Sequence, residues 1–295
     1  MNIELTAELM AQVLRLPAKD QRLVMAEIGR QEFEHCADDI MYWLDASQHV
    51  KWPGVWPDGL PYVFTKDPHP MYKCRVCGVI CTFDKRDVHR VISHGESASL
   101  VAAGQTEAQY RAHFEVLSPI RPFTIMPYMP PIIHWWLKEP LLIIEKSRDM
   151  MATWLIVTLY TWDSCFHTGK QNIFQSEDAS KTRELVDRAA FIWNQQPPFL
   201  KAQHKAAFAT GPNRSGELKV PTLDSEILGF PQGPGQIRQY HPSGIFTDET
   251  AFQIQAVDSF AAIKPAIQNG GRYTGVSSAN PGWFQFVAQD SLQYL

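Results

Sequence analysis

No apolar run in this chain is long enough to cross a bilayer. The run around Leu141–Ile144 has the length of a single strand. The opening segment MNIELTAELMAQVLRLPAKD lacks the basic start and small-residue cleavage site of a secretory signal. A cytosolic location is therefore expected. Cysteine is scarce, at five residues, and in such a compartment these read as thiols or metal ligands and not as disulfides. Positive charge is not in excess either. The formal net charge is −4, so any grip on nucleic acid must come from a local patch or from several subunits lining one channel. There is no internal repeat and no long low-complexity tract. What remains is 45% hydrophobic and 20% charged over 295 residues, the balance of a globular protein with one large domain or two modest ones.

Residues 1–60 read as a helical N-terminal region. Leu5, Leu9, Val13 and Leu16 recur at helical intervals until Pro17, Val24 and Ile28 resume the spacing, and WPGVWPDGLPY ends it. A compact Cys/His module is expected over 61–96, and a small-residue linker over 97–117. From 118 to 295 the texture is that of alternating strands and helices. LLIIE, Asn172–Gln175, GIFTDE and RYTGVSS read as strands, and Thr153–Phe166 and a segment ending near Asn194 as helices. Ser176 is the expected N-cap of the second helix, with Glu177 and Asp178 in its first turn. This alternation predicts an α/β fold with a mostly parallel sheet flanked by helices and ligands at the carboxyl ends of its strands.

Three segments carry nucleotide chemistry. In LLIIEKSRDMMATW, a strand runs into a loop with Lys146 and Arg148 before Thr153 opens a helix. Phosphate binding needs backbone N–H groups at a helix start, a cation beside the phosphates and a hydroxyl for Mg²⁺. The usual G-x4-G-K-[ST] pattern is missing: Ala152 stands where its Lys belongs and Met151 where its second Gly belongs. The same residues also suit a plain strand-to-helix turn with solvated cations. In GIFTDETAF, Asp248 is placed to hold Mg²⁺ and Glu249 to polarise an attacking water, the Walker B role. An acidic strand end at a turn is the plainer alternative. In RYTGVSSANPGWF, Ser277, Ser278 and Asn280 can sense a γ-phosphate through hydrogen bonds, or form a polar turn before Pro281-Gly282.

In this order and spacing, the chain from about Ser118 to Phe284 resembles the ATPase domain of tailed-phage terminase large subunits, a P-loop ATPase family. Lys146, Arg148 and Thr153 match that family's deviant phosphate loop, K-x-R-x-x-G-x-[ST], and NIFQSEDASKTRELV matches its Ser-Glu-x-Ala block. The resemblance implies that Lys146, Ser147, Arg148, Ala152, Thr153 and Asp248 bind ATP and Mg²⁺, with Lys146, Arg148 and Glu249 acting in catalysis. It also implies that Tyr128, in the adenine-recognition segment, takes part, and that Ser278 and Asn280 couple hydrolysis to movement. Double-stranded DNA, a portal protein and a small terminase subunit become the expected partners. A homo-oligomeric ring on the capsid, in the host cell cytoplasm and away from membranes, becomes the expected assembly. Three departures stand out. Met151 replaces the family's Gly, Met129 replaces the Gln after Pro127-Tyr128, and fifteen residues after Asn280 leave no room for the family's nuclease.

The module over 61–96 contains Cys74-x2-Cys77, eleven residues, then His89-x4-His94, the ligand types and spacing of a tetrahedral Zn²⁺ site. It resembles a ββα zinc finger, with Asp84 as a helix cap and Phe83, Val88 and Ile92 as a small core. Cys81 is a competing ligand. Lys85, Arg86 and Arg90 are candidates for DNA phosphates, although a lone finger also serves protein docking. Among the remaining residues, Trp135, Trp136, Ile132 and Ile133 are expected in the core of one helix, and Cys36 and Cys165 as buried small hydrophobes. Arg238, ten residues before Asp248, is either a solvated loop residue or an arginine for transition-state charge. Two rival readings remain. One is a helicase-like P-loop motor. The other is a zinc-bearing interaction module for nucleic acid or protein, with a degenerate, non-hydrolysing P-loop fold.

Overall fold

The computed structural model describes residues 11–47, 49, 56–57, 59–67, 71–81, 89–90, 93–95, 112–148, 150–211 and 214–289. Two compact units emerge: residues 1–63 with 124–295, and residues 64–123.

The N-terminal segment of the larger unit forms α1 (Ala18–Asp38) and α2 (Ile40–Leu44). Asp39 separates them because its side chain accepts from the Met41 N–H and starts a new helix. Both helices pack onto the sheet-bearing part of the same unit. Trp43 Nε1 donates to Gln196 Oε1 at 2.9 Å, and Trp162 Nε1 donates to the Cys36 carbonyl at 2.6 Å. Phe33 stacks on Phe166.

The smaller unit contains β1 (Phe64–Lys66), β2 (Tyr72–Cys74), β3 (Ile80–Cys81), β4 (Phe114–Val116) and β5 (Ile120–Pro122). β1 pairs with β5, and β2 lies between β3 and β4, all antiparallel. Tyr72, Cys74, Cys81 and Phe114 form its small core. Phe114–Val116, at the end of the segment expected to be a linker, thus supplies a strand. The expected finger residues Phe83, Asp84, Lys85, Arg86, Val88 and Ile92 lie outside the described residues.

The larger unit continues with α3 (Met129–Lys138), β6 (Leu141–Lys146), α4 (Ala152–Phe166), β7 (Gln171–Ser176) and α5 (Ala179–Asn194). Then come α6 (Pro198–Lys201), β8 (Ala207–Gly211), β9 (Arg214–Val220), β10 (Ser225–Pro231) and α7 (Pro234–Ile237). β11 (Gly244–Asp248), α8 (Ala256–Gln268), β12 (Arg272–Ser278) and α9 (Trp283–Gln289) complete it. The seven strands of the sheet run β6-β12-β11-β7-β10-β9-β8, parallel from β6 to β10, with β9 and β8 added as an antiparallel ribbon. The ribbon has no counterpart in the sequence reading. The expected mixed α/β sheet flanked by helices is present. Its inner strands β7, β11 and β12 are almost wholly buried, as expected of parallel strands covered on both faces, while the edge strand β6 is half-buried.

Two local expectations change. Ser176 is the last residue of β7, and the N-cap of α5 is Asp178, whose carboxylate accepts from the Lys181 N–H at 2.8 Å. Ser176 cannot cap because its backbone is still committed to pairing with β10. On α3, Ile133 and Trp136 are buried as expected, but Trp135 is 51% exposed, since adjacent helix positions point about 100° apart. Cys36 and Cys165 are fully buried, and burial pushes both thiols well above their ordinary range. Among the described residues, no helix is long and apolar enough to cross a membrane.

Candidate functional site

The carboxyl ends of β6, β12, β11 and β7 lie side by side, and the candidate nucleotide residues extend from them. β6 ends on Lys146, directly opposite Ser278 of β12 in the parallel register. Asp248 ends β11 opposite Val276. Neighbouring strands lie about 4.8 Å apart, so this register places residues more than a hundred positions apart in one small area.

The link from β6 to α4 carries Ser147 and Arg148, both exposed, before Met151 precedes the helix. Met151 has φ 50° and ψ 15°, a left-handed conformation that side chains disfavour. Glycine adopts this conformation without strain, which is the expectation its place in the loop motif carried. Tyr128 donates its hydroxyl proton to the Met150 carbonyl and so braces the turn. Met129 is fully buried at the head of α3, which makes it core rather than a reader of a base.

Ala152 is buried at the first turn of α4, and Thr153 Oγ1 beside it donates to both carboxylate oxygens of Asp248, at 3.1 and 3.2 Å. This oxygen set, one hydroxyl and one carboxylate at a strand end, fits Mg²⁺. Asp248 is 7% exposed. Burial and the neighbouring Glu249 push its carboxyl up to about 6, against the opposing influence of Lys146, the Thr153 hydroxyl and Arg188. Arg188, on α5, went unnoticed in the sequence reading. It sits 5.3 Å from the centre of the Trp154 ring, and only the packing of α5 on α4 reveals it.

Glu249 also has φ 50°, so among the described residues two of the three non-glycine residues with positive φ flank this site. Strained backbone of this kind persists only where surrounding contacts hold it. Lys146 Nζ lies 3.2 Å from Glu249 Oε1 in a largely shielded pair. The next turn is fixed from β12. Ser277 Oγ accepts from the Ala251 N–H at 3.1 Å, and Asn280 Nδ2 donates to the Ala251 carbonyl at 3.1 Å. The segment after β12 therefore grips the backbone two residues beyond Glu249. Ser278 is half-buried beside Lys146.

Arg238 is not in this group. It is exposed and lines a cavity with Ser243, Gly271 and Arg272, at the amino ends of β11 and β12, the opposite edge of the sheet. A transition-state role within its own chain is thereby removed, because β11 separates Arg238 from Asp248 by the length of the strand.

In the smaller unit, the side chains of Cys74, Cys77, His89 and His94 converge, with all four ligand atoms within 4.8 Å of one another. Cys74 Sγ is 3.3 Å from His94 Nε2, Cys77 Sγ is 3.2 Å from His89 Nε2, and the two Nε2 atoms are 3.2 Å apart. Two sulfurs and two nitrogens at these separations fit a tetrahedral zinc ion. Ser93 Oγ, 3.1 Å from His89 Nδ1, is placed to fix the ring so that Nε2 remains for a metal. Gly78, at φ 76°, lets the chain turn after Cys77, and its N–H donates to the Cys74 carbonyl at 2.9 Å. Burial opposes ionisation of Cys74, but N–H groups of Cys77 and Val76, with His89 and Cys77 side chains, outweigh it and lower the thiol to about 6. Cys81 is absent from this cluster and belongs to the small core. Arg90 is 3% exposed, which removes it from a phosphate-binding surface.

No known family profile matches the chain, and no curated protein does. Among solved structures it is similar to the ATPase domains of phage large terminases. A variant of the ATPase domain of the Thermus phage P74-26 large terminase aligns with a TM-score of 0.43 and 10% identity, over 55% of this chain and 68% of that one. The HK97 bacteriophage large terminase gives 0.46 and 15%, over 59% and 38%. The large terminase of a thermophilic bacteriophage gives 0.44 and 11%, over 58% and 44%. The chain thus matches less than half the length of these last two proteins. Structures of the thermophilic bacteriophage protein include complexes with ADP and with ATP-gamma-S.

Proposed function

We propose that this chain is an ATP-hydrolysing motor that drives double-stranded DNA into a viral procapsid, the role of a terminase large-subunit ATPase. The observation that carries the reading is the convergence of Lys146, Thr153, Asp248 and Glu249 at the carboxyl ends of parallel strands, with Thr153 bonded to Asp248. Lys146, Arg148 and the backbone at Ser147 and Ala152 bind the phosphates, and Tyr128 holds the loop beside the nucleoside. Thr153 and Asp248 hold Mg²⁺, which neutralises phosphate charge when bound. Glu249 takes a proton from the attacking water. Ser278 faces the γ-phosphate beside Lys146, while Asn280 and Ser277 pass the change in that pocket to the Glu249 turn through Ala251.

Cys74, Cys77, His89 and His94 bind zinc, which holds together a unit too small to have a substantial core. The 118–295 segment is the motor, and the 61–96 segment is the zinc-bearing module. A portal protein, a small terminase subunit and further copies of this chain in a ring are the proposed partners, in the host cell cytoplasm.

The decisive experiment is a nucleotide-binding titration followed by steady-state ATP hydrolysis, with DNA and portal present. Binding of Mg²⁺-ATP and turnover are expected, and Arg148→Ala should weaken one or both by about tenfold, the usual effect of losing a charged hydrogen bond. A chain that binds no nucleotide under these conditions would instead be a zinc-bearing interaction protein.

A further inference from the structure

The opposite edge of the parallel sheet holds a cavity of about 780 Å³ to which the proposed ATPase chemistry assigns nothing. Its size is that of a small-molecule site. Lys138, Lys170, Arg238 and Arg272 line it, against the carboxylates of Glu139 and Asp163. Four cations less two carboxylates leave a net charge of +2, with His241 neutral.

Pairing leaves that net charge on fewer groups. The Asp163 carboxylate is already taken, by Lys170 at 3.3 Å and by Asn172 Nδ2 at 2.9 Å. Among the described residues, Lys138, Arg238 and Arg272 form no ion pair. Arg272 is the unusual member. Its guanidinium lies 3.8 Å from the centre of the Trp136 ring, and burial lowers its affinity for its own proton. No side-chain hydrogen bond from it is made among the described residues. A guanidinium stacked on a buried indole is held in orientation while its N–H edge stays free, the arrangement that recognises a two-oxygen anion. Two wall residues, Asn172 and Tyr160, are held close against β11 from behind: a side chain at Gly244 would place its first carbon 2.4 Å from Asn172 Oδ1 and 2.5 Å from the Tyr160 ring.

We infer that this cavity is a second anion site, built to take the phosphate of a small phosphate monoester on Arg272, with Arg238 and Lys138 at its mouth. A phosphate fits better than a carboxylate because it carries the two negative charges that a site of net charge +2 balances, and the volume beyond the phosphate accommodates the ester. The inference does not rest on the ATPase reading, since the two sites occupy opposite ends of the strands.

The test uses the full chain carrying Lys146→Ala, which removes a cation from the candidate nucleotide site, and reads binding of labelled inorganic phosphate by equilibrium dialysis. Saturable binding is expected, competed by ribose 5-phosphate. Arg272→Gln should weaken it by about tenfold or more, the scale of a lost charge-assisted hydrogen bond. If circular dichroism shows Arg272→Gln to be misfolded, the double variant Arg238→Ala/Lys138→Ala serves instead. Both of those side chains are exposed, and their loss should weaken binding and reduce its salt dependence. No saturable phosphate binding, or binding unchanged in folded variants, would overturn the site. Phosphate binding that ribose 5-phosphate fails to displace would overturn the monoester class.

Discussion

Lys146 and Glu249, 103 residues apart in sequence, meet through an Nζ–Oε1 contact of 3.2 Å at the ends of strands separated by β12. The two charges offset each other. On the proposed ATPase reading, an incoming γ-phosphate competes for Lys146 and so frees Glu249 to face water.

Glu249→Gln tests that relationship. The amide keeps size and hydrogen bonding but removes the base, so nucleotide should still bind. Turnover should fall by on the order of 10²-fold or more in an assay containing DNA and portal. Equal rates for the two proteins would remove Glu249 from catalysis.

Met151 supplies a test of the phosphate turn. At φ 50° a glycine is unstrained and a β-branched residue is an outlier. Met151→Gly should leave stability unchanged or raise it by up to about 1 kcal/mol, whereas Met151→Val should lower it by about 1–2 kcal/mol. Thermal unfolding of the two variants reads the order directly, and the reverse order would argue against a left-handed turn.

Asp248 links the site to pH. Its carboxyl, at about 6 against an ordinary 3.8, binds a proton more tightly in the folded chain. Stability is therefore lost as pH rises between those values, and the penalty is complete above about pH 6. Asp248→Asn should stabilise the metal-free protein by about 1–3 kcal/mol at pH 7.5 and by little at pH 4, while abolishing Mg²⁺-dependent turnover. Denaturant unfolding at the two pH values measures it. A variant equally destabilised at both would show that the carboxylate serves packing alone.

Zinc is tested by metal analysis of the purified chain, which should give about one ion per chain, lost to a strong chelator. Cys77→Ser or His89→Ala should abolish retention, while Cys81→Ala should retain the ion and lose only core packing. A metal-free chain with protease resistance over 64–123 equal to that of the zinc-loaded protein would refute the assignment.

Local chemistry was legible without coordinates wherever it depends on neighbours in the chain. LLIIE and RYTGVSS read as strands from the sequence, and each lies in a strand. The spacing of Cys74, Cys77, His89 and His94 was readable because a metal knuckle is itself a local device, and those four ligand atoms do converge. Asp178 and Ser176 show where local reading fails. Both are good caps, and only the strand pairing of Ser176 decides between them.

Tertiary structure alone decided what lies opposite what. The strand order sets Ser278 beside Lys146 and gives Ala251 to Ser277 and Asn280, pairings that no spacing rule contains. It sent Arg238 to the far edge of the sheet although only ten residues separate it from Asp248, because an extended strand spends those residues on distance. Arg90 was buried and Trp135 exposed for a related reason: hydropathy ranks residue types, but the facing surface determines which of two adjacent positions is covered. The left-handed turns at Met151 and Glu249 belong to the same class. Neither residue prefers that conformation, and each adopts it because the packed strands and helices on either side leave the connecting chain no other path.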